Sequence, residues 1–164
     1  EKIMLINLEQ IIKYFFQIFL INTAITIIVA IPVLIPSLAF PILITEWPGI
    51  YIIIGFFSLI ICGILGFCGW AITYFLILKI YKVEFTNRNL VFAQIVLCES
   101  GILLTAIFMY WGGYVGASAA HAGMAEFVIG EIMEFAVVPS GLGIGLQIAG
   151  NLIGLINVFS TIKK

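Results

Sequence analysis

Long apolar runs broken by short polar clusters dominate this chain, and their lengths set the expected architecture. Read against their breakers, they predict five helical spans. The first covers about 11–33, ended by Pro32, Pro36 and Pro41. The polar group Thr45-Glu46-Trp47-Pro48-Gly49 opens a second, over about 50–78. The most charged loop, Lys79 to Arg88, then leads into a third over 89–111. Gly112-Gly113 begins a small-residue stretch to about Val138, expected as a fourth span, and Pro139-Ser140-Gly141 separates it from a fifth over 142–160. Together these make one all-α, polytopic membrane domain over 1–164: an extra N-terminal span, a hairpin over about 50–111, and a second, shorter hairpin over about 113–160.

Composition supports lipid as the solvent. The chain is 63% hydrophobic and 9% charged, with a mean hydropathy of +1.27. A soluble domain of 164 residues leaves too much of its surface in water to hide that much apolar material. Residues 3–45 are too long a tract for a signal-peptide core and read as a retained membrane segment. A net charge of −1 suggests no nucleic-acid partner. Cys62, Cys68 and Cys98 lie inside apolar runs, with neither metal-ligand nor disulfide-framework spacing, and read as small buried hydrophobes.

The bases indicate orientation. Lys79, Lys82 and Arg88 make the loop 79–89 the cytoplasmic one, and Lys2 and Lys13 agree with that side. Lys163 and Lys164 fall on the opposite side if there are five spans, which conflicts. Trp47, Tyr51, Tyr81, Tyr110 and Trp111 stand where interfacial belt residues belong.

One residue stands out against this background. Glu99 is the lone carboxylate between Asn89 and Met109, about 15 Å from one end of its helix and about 18 Å from the other at 1.5 Å per residue. That is close to the middle of a ~30 Å hydrocarbon core, where an ionisable side chain is costly and functional by default. No Lys or Arg shares its depth. Low-dielectric surroundings favour the neutral acid, so Glu99 should be protonated at rest and ionise only beside water or a cation from another chain. Such a group suits a proton carrier. The alternatives are ion coordination, or a protonated acid bonded to a neighbouring helix carbonyl or to Thr105. Gln94 and Ser100, nearby in sequence, read as helix–helix hydrogen-bond fillers.

Other candidates are weaker. Glu131 and Glu134 share a face at i, i+3 and form a possible secondary proton site, with Glu126 and His121 nearby; an irregular, partly wet segment near an interface is the preferred reading of this group. One histidine without a Glu-x-x-His pair gives no metal site, and no cofactor motif is found. Gly141-Leu-Gly143-Ile-Gly145 lacks the Lys-Ser/Thr of a phosphate loop and reads as a helix start. Gly63, Gly66 and Gly69 form one small stripe, Gly116 and Ala120 another. In lipid, such stripes permit close backbone approach, either within one chain or in a tight ring of subunits.

The run Thr86-Asn87-Arg88-Asn89-Leu90, followed at mid-helix by Cys98-Glu99, resembles the third helix of the c″ proteolipid of the vacuolar-type proton ATPase. Gly69-Trp70 before the loop, and Tyr110-Trp-Gly-Gly-Tyr-Val-Gly-Ala-Ser118 after the helix, are similar to that family as well. The resemblance covers about 50–118, and the C-terminal part departs from it. It implies a five-span rotor subunit in an acidic endomembrane such as the vacuole, ringed by other proteolipid subunits. Glu99 would carry the proton, and a stator subunit of the a type would supply an arginine. The chain itself would hydrolyse nothing. The rival readings are an accessory, structural subunit of a membrane energy-transducing complex, and a small transporter with Glu99, Glu131 and Glu134 lining a cavity.

Overall fold

Apolar runs in lipid must satisfy every backbone group internally, and helix is the way a single segment does so. The computed structural model describes residues 5–35, 39 and 46–163, and almost all of them are helical. A short strand β1 (Leu5–Asn7) leads into helix α1 (Leu8–Leu34). Helix α2 (Glu46–Ser58) continues through a π-helical stretch (Leu59–Gly66) into α3 (Phe67–Leu76) and a π-helical turn (Ile77–Tyr81), making one unbroken rod. Strand β2 (Phe85–Asn87), helix α4 (Arg88–His121) and helix α5 (Glu126–Ile162) complete the chain.

Four helices, not five, are long and apolar enough to cross a membrane among the described residues: Leu8–Ile31, Trp47–Tyr81, Arg88–His121 and Glu126–Ile162. The two expected breaks are absent for physical reasons. At Gly112-Gly113, α4 continues because each glycine fits a neighbour: a Cβ on Gly112 would lie 2.6 Å from the Ala136 side chain, and one on Gly113 2.6 Å from the Ile52 backbone nitrogen. Packing overrides the low helix propensity of glycine. At Pro139, α5 gives up one N–H, whereas ending there would orphan a full set of terminal carbonyls. Pro36 and Pro41 lie outside the described residues.

The four-helix count removes the charge conflict. With an even number of crossings, Lys163 returns to the end that holds Lys13, Lys79, Lys82 and Arg88, so every described Lys and Arg is at one end. That end is tied by an antiparallel strand pair, Leu5 opposite Asn87 and Asn7 opposite Phe85, and by the Leu8 N–H donating to the Glu84 carbonyl at 2.9 Å. Both helices that leave the pair start alike. The Asn7 side chain accepts from the Glu9 N–H at 2.8 Å and that of Asn87 from the Asn89 N–H at 3.0 Å, each satisfying an orphan donor of the first turn.

The core lies at this basic end and around mid-depth. Phe15 of α1 packs against Phe67 and Tyr74 with tilted rings, while Leu8, Ile11, Val91 and Ile102 are fully or almost fully buried beside them. Helices α4 and α5 form an antiparallel hairpin in constant register, Gln94 facing Gly154, Cys98 facing Gly150 and Gly112 facing Ala136. At about 51 and 55 Å by length, both exceed a ~30 Å hydrocarbon core. Tyr110 and Trp111, which the sequence places at an interface, precede a small-residue tip that carries His121 and Glu126 in exposed positions.

Candidate functional site

Glu99 lies on α4 about 16 Å from Arg88 and about 18 Å from Trp111, midway between the basic end and the aromatic belt. It is half-buried. Its Oε2 accepts a hydrogen bond from Asn22 Nδ2 of α1 at 3.0 Å. The same Nδ2 lies 3.3 Å from the Gly63 carbonyl oxygen, within the π-helical stretch. Asn22 is completely buried, and its Oδ1 has no hydrogen-bond partner. The Thr26 hydroxyl donates to the Asn22 backbone carbonyl at 2.7 Å.

Three elements therefore converge on the carboxyl group. Gly63 makes room: a Cβ there would sit 3.3 Å from Asn22 Nδ2, so its lack of a side chain admits the amide rather than a neighbouring helix. The π-helical turns place this glycine and its carbonyl toward α1, a distortion that recurs at functional sites. An amide can donate to the charged or the neutral form of an acid, whereas a base would hold it charged. The partner is an amide, and every described Lys and Arg is at the strand end.

A second polar group, nearer the basic end, is fully buried. The Tyr74 hydroxyl donates to Gln94 Oε1 at 2.9 Å and accepts from Asn157 Nδ2 at 3.0 Å. Thr86 donates to Asn157 Oδ1 at 3.0 Å, and Thr161 donates to the Asn157 carbonyl at 2.7 Å. This set joins α3, α4, α5 and β2, and makes Gln94 the helix-to-helix hydrogen-bond residue its position suggested. Tyr74→Phe leaves Gln94 Oε1 and Asn157 Nδ2 without that partner, and is expected to cost about 1–3 kcal/mol of stability in detergent unfolding.

The remaining candidates separate from Glu99. Ser100 is exposed and its hydroxyl returns to the Val96 carbonyl of its own helix at 2.6 Å. Thr105 accepts from Gln147 Nε2 at 3.0 Å and is not Glu99's partner. Cys98 and the half-buried Cys62 border a cavity of about 170 Å³ with Trp70, Gln147 and Asn151. Glu131 and Glu134 are exposed on α5. Their neighbour Met133 packs on Gly116, which lies about 25 Å further along α4 than Glu99, so the structure does not bring these acids to the same site. Among the described residues no three His, Cys, Asp or Glu side chains group as metal ligands. Of the packing stripes, Gly63 and Gly116 are buried at contacts and Ala120 is half-buried, while Gly69 is exposed and Gly66 has only its own helix nearby.

Asn22 is the residue that sequence reasoning missed. Opposite charge is the usual partner of a membrane carboxylate, and the first span offers at this depth a neutral amide rather than a charge. A signal was present: Asn22-Thr23 and Thr26 interrupt an otherwise apolar run at the depth of Glu99. No protein-family model matches the chain, and neither a curated protein nor a solved structure matches it.

Proposed function

We propose that this chain is a proton-carrying subunit of the rotor ring in a vacuolar-type proton-pumping ATPase, with Glu99 as the group that binds and releases the proton. The observation that carries the reading is a half-buried carboxyl group, about 16 Å along α4 from Arg88 and about 18 Å from Trp111, with no Lys or Arg beside it among the described residues. An ionisable side chain in such a place is expensive, and transport is the common reason to keep one. In this reading the protonated acid is carried through the membrane, loses its proton beside an arginine of a stator subunit, and is reprotonated as the ring turns. The other ring members are further proteolipid subunits, and ATP is consumed elsewhere in the complex. The basic end, with Lys79, Lys82 and Arg88, faces the cytoplasm by the positive-inside rule, in a vacuolar or other acidic endomembrane.

A second reading draws on the Asn22–Glu99 hydrogen bond, which would also suit a structural acid that fastens α1 in an accessory subunit. The two readings diverge in one assay. With Glu99→Gln in the assembled complex, ATP-driven acidification of membrane vesicles falls to background if Glu99 carries protons. It stays near wild type, with at most an assembly defect, if the residue is structural.

A further inference from the structure

We propose that Asn22 is a positioning residue for Glu99: carried on α1, its amide latches the carboxyl group inside the chain and must let go before that group can meet a base from another subunit. The inference rests on the rotor reading and adds a role for α1, which otherwise serves as an extra membrane anchor.

The geometry of α1 carries the argument. This helix packs along the α2–α3 rod, where Phe15 meets Phe67 and Tyr74. Near the basic end Tyr14 packs on Phe92 of α4, with ring centroids 5.9 Å apart, and further along the two helices part. Beyond the Asn22–Glu99 bond, a cleft of about 510 Å³ separates the two helices, walled by Ile25 and Val29 on one side and by Leu103, Ala106 and Ile107 on the other. Past the cleft, the Tyr110 hydroxyl reaches the Val29 carbonyl at 3.4 Å. Along the face of α4 that runs from Glu99 through Leu103 to Tyr110, polar bridges to α1 therefore stand at the two ends of an apolar gap, and one of them is made by the carboxyl group itself.

The amide is built to hold rather than merely to fill space. Asn22 is completely buried, Gly63 leaves it room, and its one nitrogen serves both the Gly63 carbonyl and Glu99 while Oδ1 stays without a partner. A buried amide with half of its hydrogen-bonding capacity unused costs stability, as does the carboxyl group at this depth. Their pairing gives each a partner when the chain is not exchanging protons. Opening requires the Glu99 side chain to turn away from Asn22.

The test is modification of Glu99 by a hydrophobic carbodiimide, which reacts with the protonated acid, in native membranes holding the assembled complex. Asn22→Leu keeps the shape of the side chain and removes the donor. Its labelling rate at residue 99 is expected to rise about tenfold, the equivalent of one hydrogen bond to a neutral group at about 1.4 kcal/mol per factor of ten. The labelling profile against pH should be displaced as well. Asn22→Gln, which retains an amide on a longer arm, should return the rate toward wild type. If Asn22→Leu fails to accumulate, Gly63→Ala takes its place, because the added methyl crowds Nδ2 while leaving α1 intact, and it should also raise labelling. A wild-type rate and an undisplaced profile in the accumulating variant overturn the latch. Pumping by Glu99→Gln is measured in the same membranes. Normal pumping there removes the rotor reading, whereas lost pumping with unchanged labelling in Asn22→Leu removes only the latch.

Discussion

Gly101→Leu is expected to abolish accumulation of the folded chain. At Gly101, α4 crosses α5 backbone to backbone. A Cβ there would lie 2.6 Å from the Gly143 carbonyl oxygen and 2.8 Å from the Gln147 nitrogen. The contact is reciprocal, since a Cβ on Gly143 would lie 2.7 Å from the Gly101 carbonyl oxygen and 2.8 Å from the Thr105 nitrogen. These obstacles are main-chain atoms, which cannot turn aside as a flexible side chain can. Overpacking by small groups typically costs 1–3 kcal/mol, so Gly101→Ala is expected at about that level. Four heavy atoms must separate the hairpin, against a total stability on the order of 5–15 kcal/mol. The control is Gly69→Leu, at an exposed position with open space where the Cβ would stand, expected within about 0.5 kcal/mol of wild type. Yield of monodisperse protein after detergent extraction reads the difference. Equal yields for the two variants would contradict the close α4–α5 crossing.

The second large effect is chemical. Glu99→Gln keeps the size of the side chain and can still accept from Asn22 Nδ2, so the helices should assemble as before. What it removes is the exchangeable proton. ATP-driven acidification by the assembled complex is therefore expected to fall to background, while the amount of assembled complex stays near wild type. Glu99→Asp restores an acid but withdraws it toward α4, away from the Asn22 amide 3.0 Å from Oε2, and should recover only part of the rate. A rate for Glu99→Gln near that of the wild type would show that ionisation at this position is not required.

Much of this fold was legible from residue pattern. The long apolar runs and the charged loop from Lys79 to Arg88 gave helices crossing a membrane, and the spacing within Asn89 to Met109 placed Glu99 at mid-depth. The span count was not legible, because glycine and proline are breakers only where nothing repays their cost. Gly112 and Gly113 are repaid by contact with Ala136 and Ile52, which sequence does not display. The β1–β2 pair was missed for a related reason: three-residue strands carry almost no periodicity, and what holds them is the chain returning to the same end. At the site, the acid was visible and its amide partner was not. Asn22 and Glu99 are far apart in the chain, and their meeting depends on how α1 lies against the α2–α3 rod.

The four-helix count also gathers the described lysines and Arg88 at one end. Lys163 sits on the wrong side of a five-span chain and on the right side of a four-helix one, so the charge distribution and the helix count support each other.

The central claim is that Glu99 holds a proton in the membrane at neutral pH and can surrender it. Carbodiimide modification of native membranes at pH 7, followed by mass analysis of the peptide that contains residue 99, tests it most directly. The account predicts a covalent adduct on Glu99, absent in Glu99→Gln, with acidification lost in step with labelling. A chain that stays unmodified at Glu99, or that is modified there while acidification continues undiminished, would contradict it.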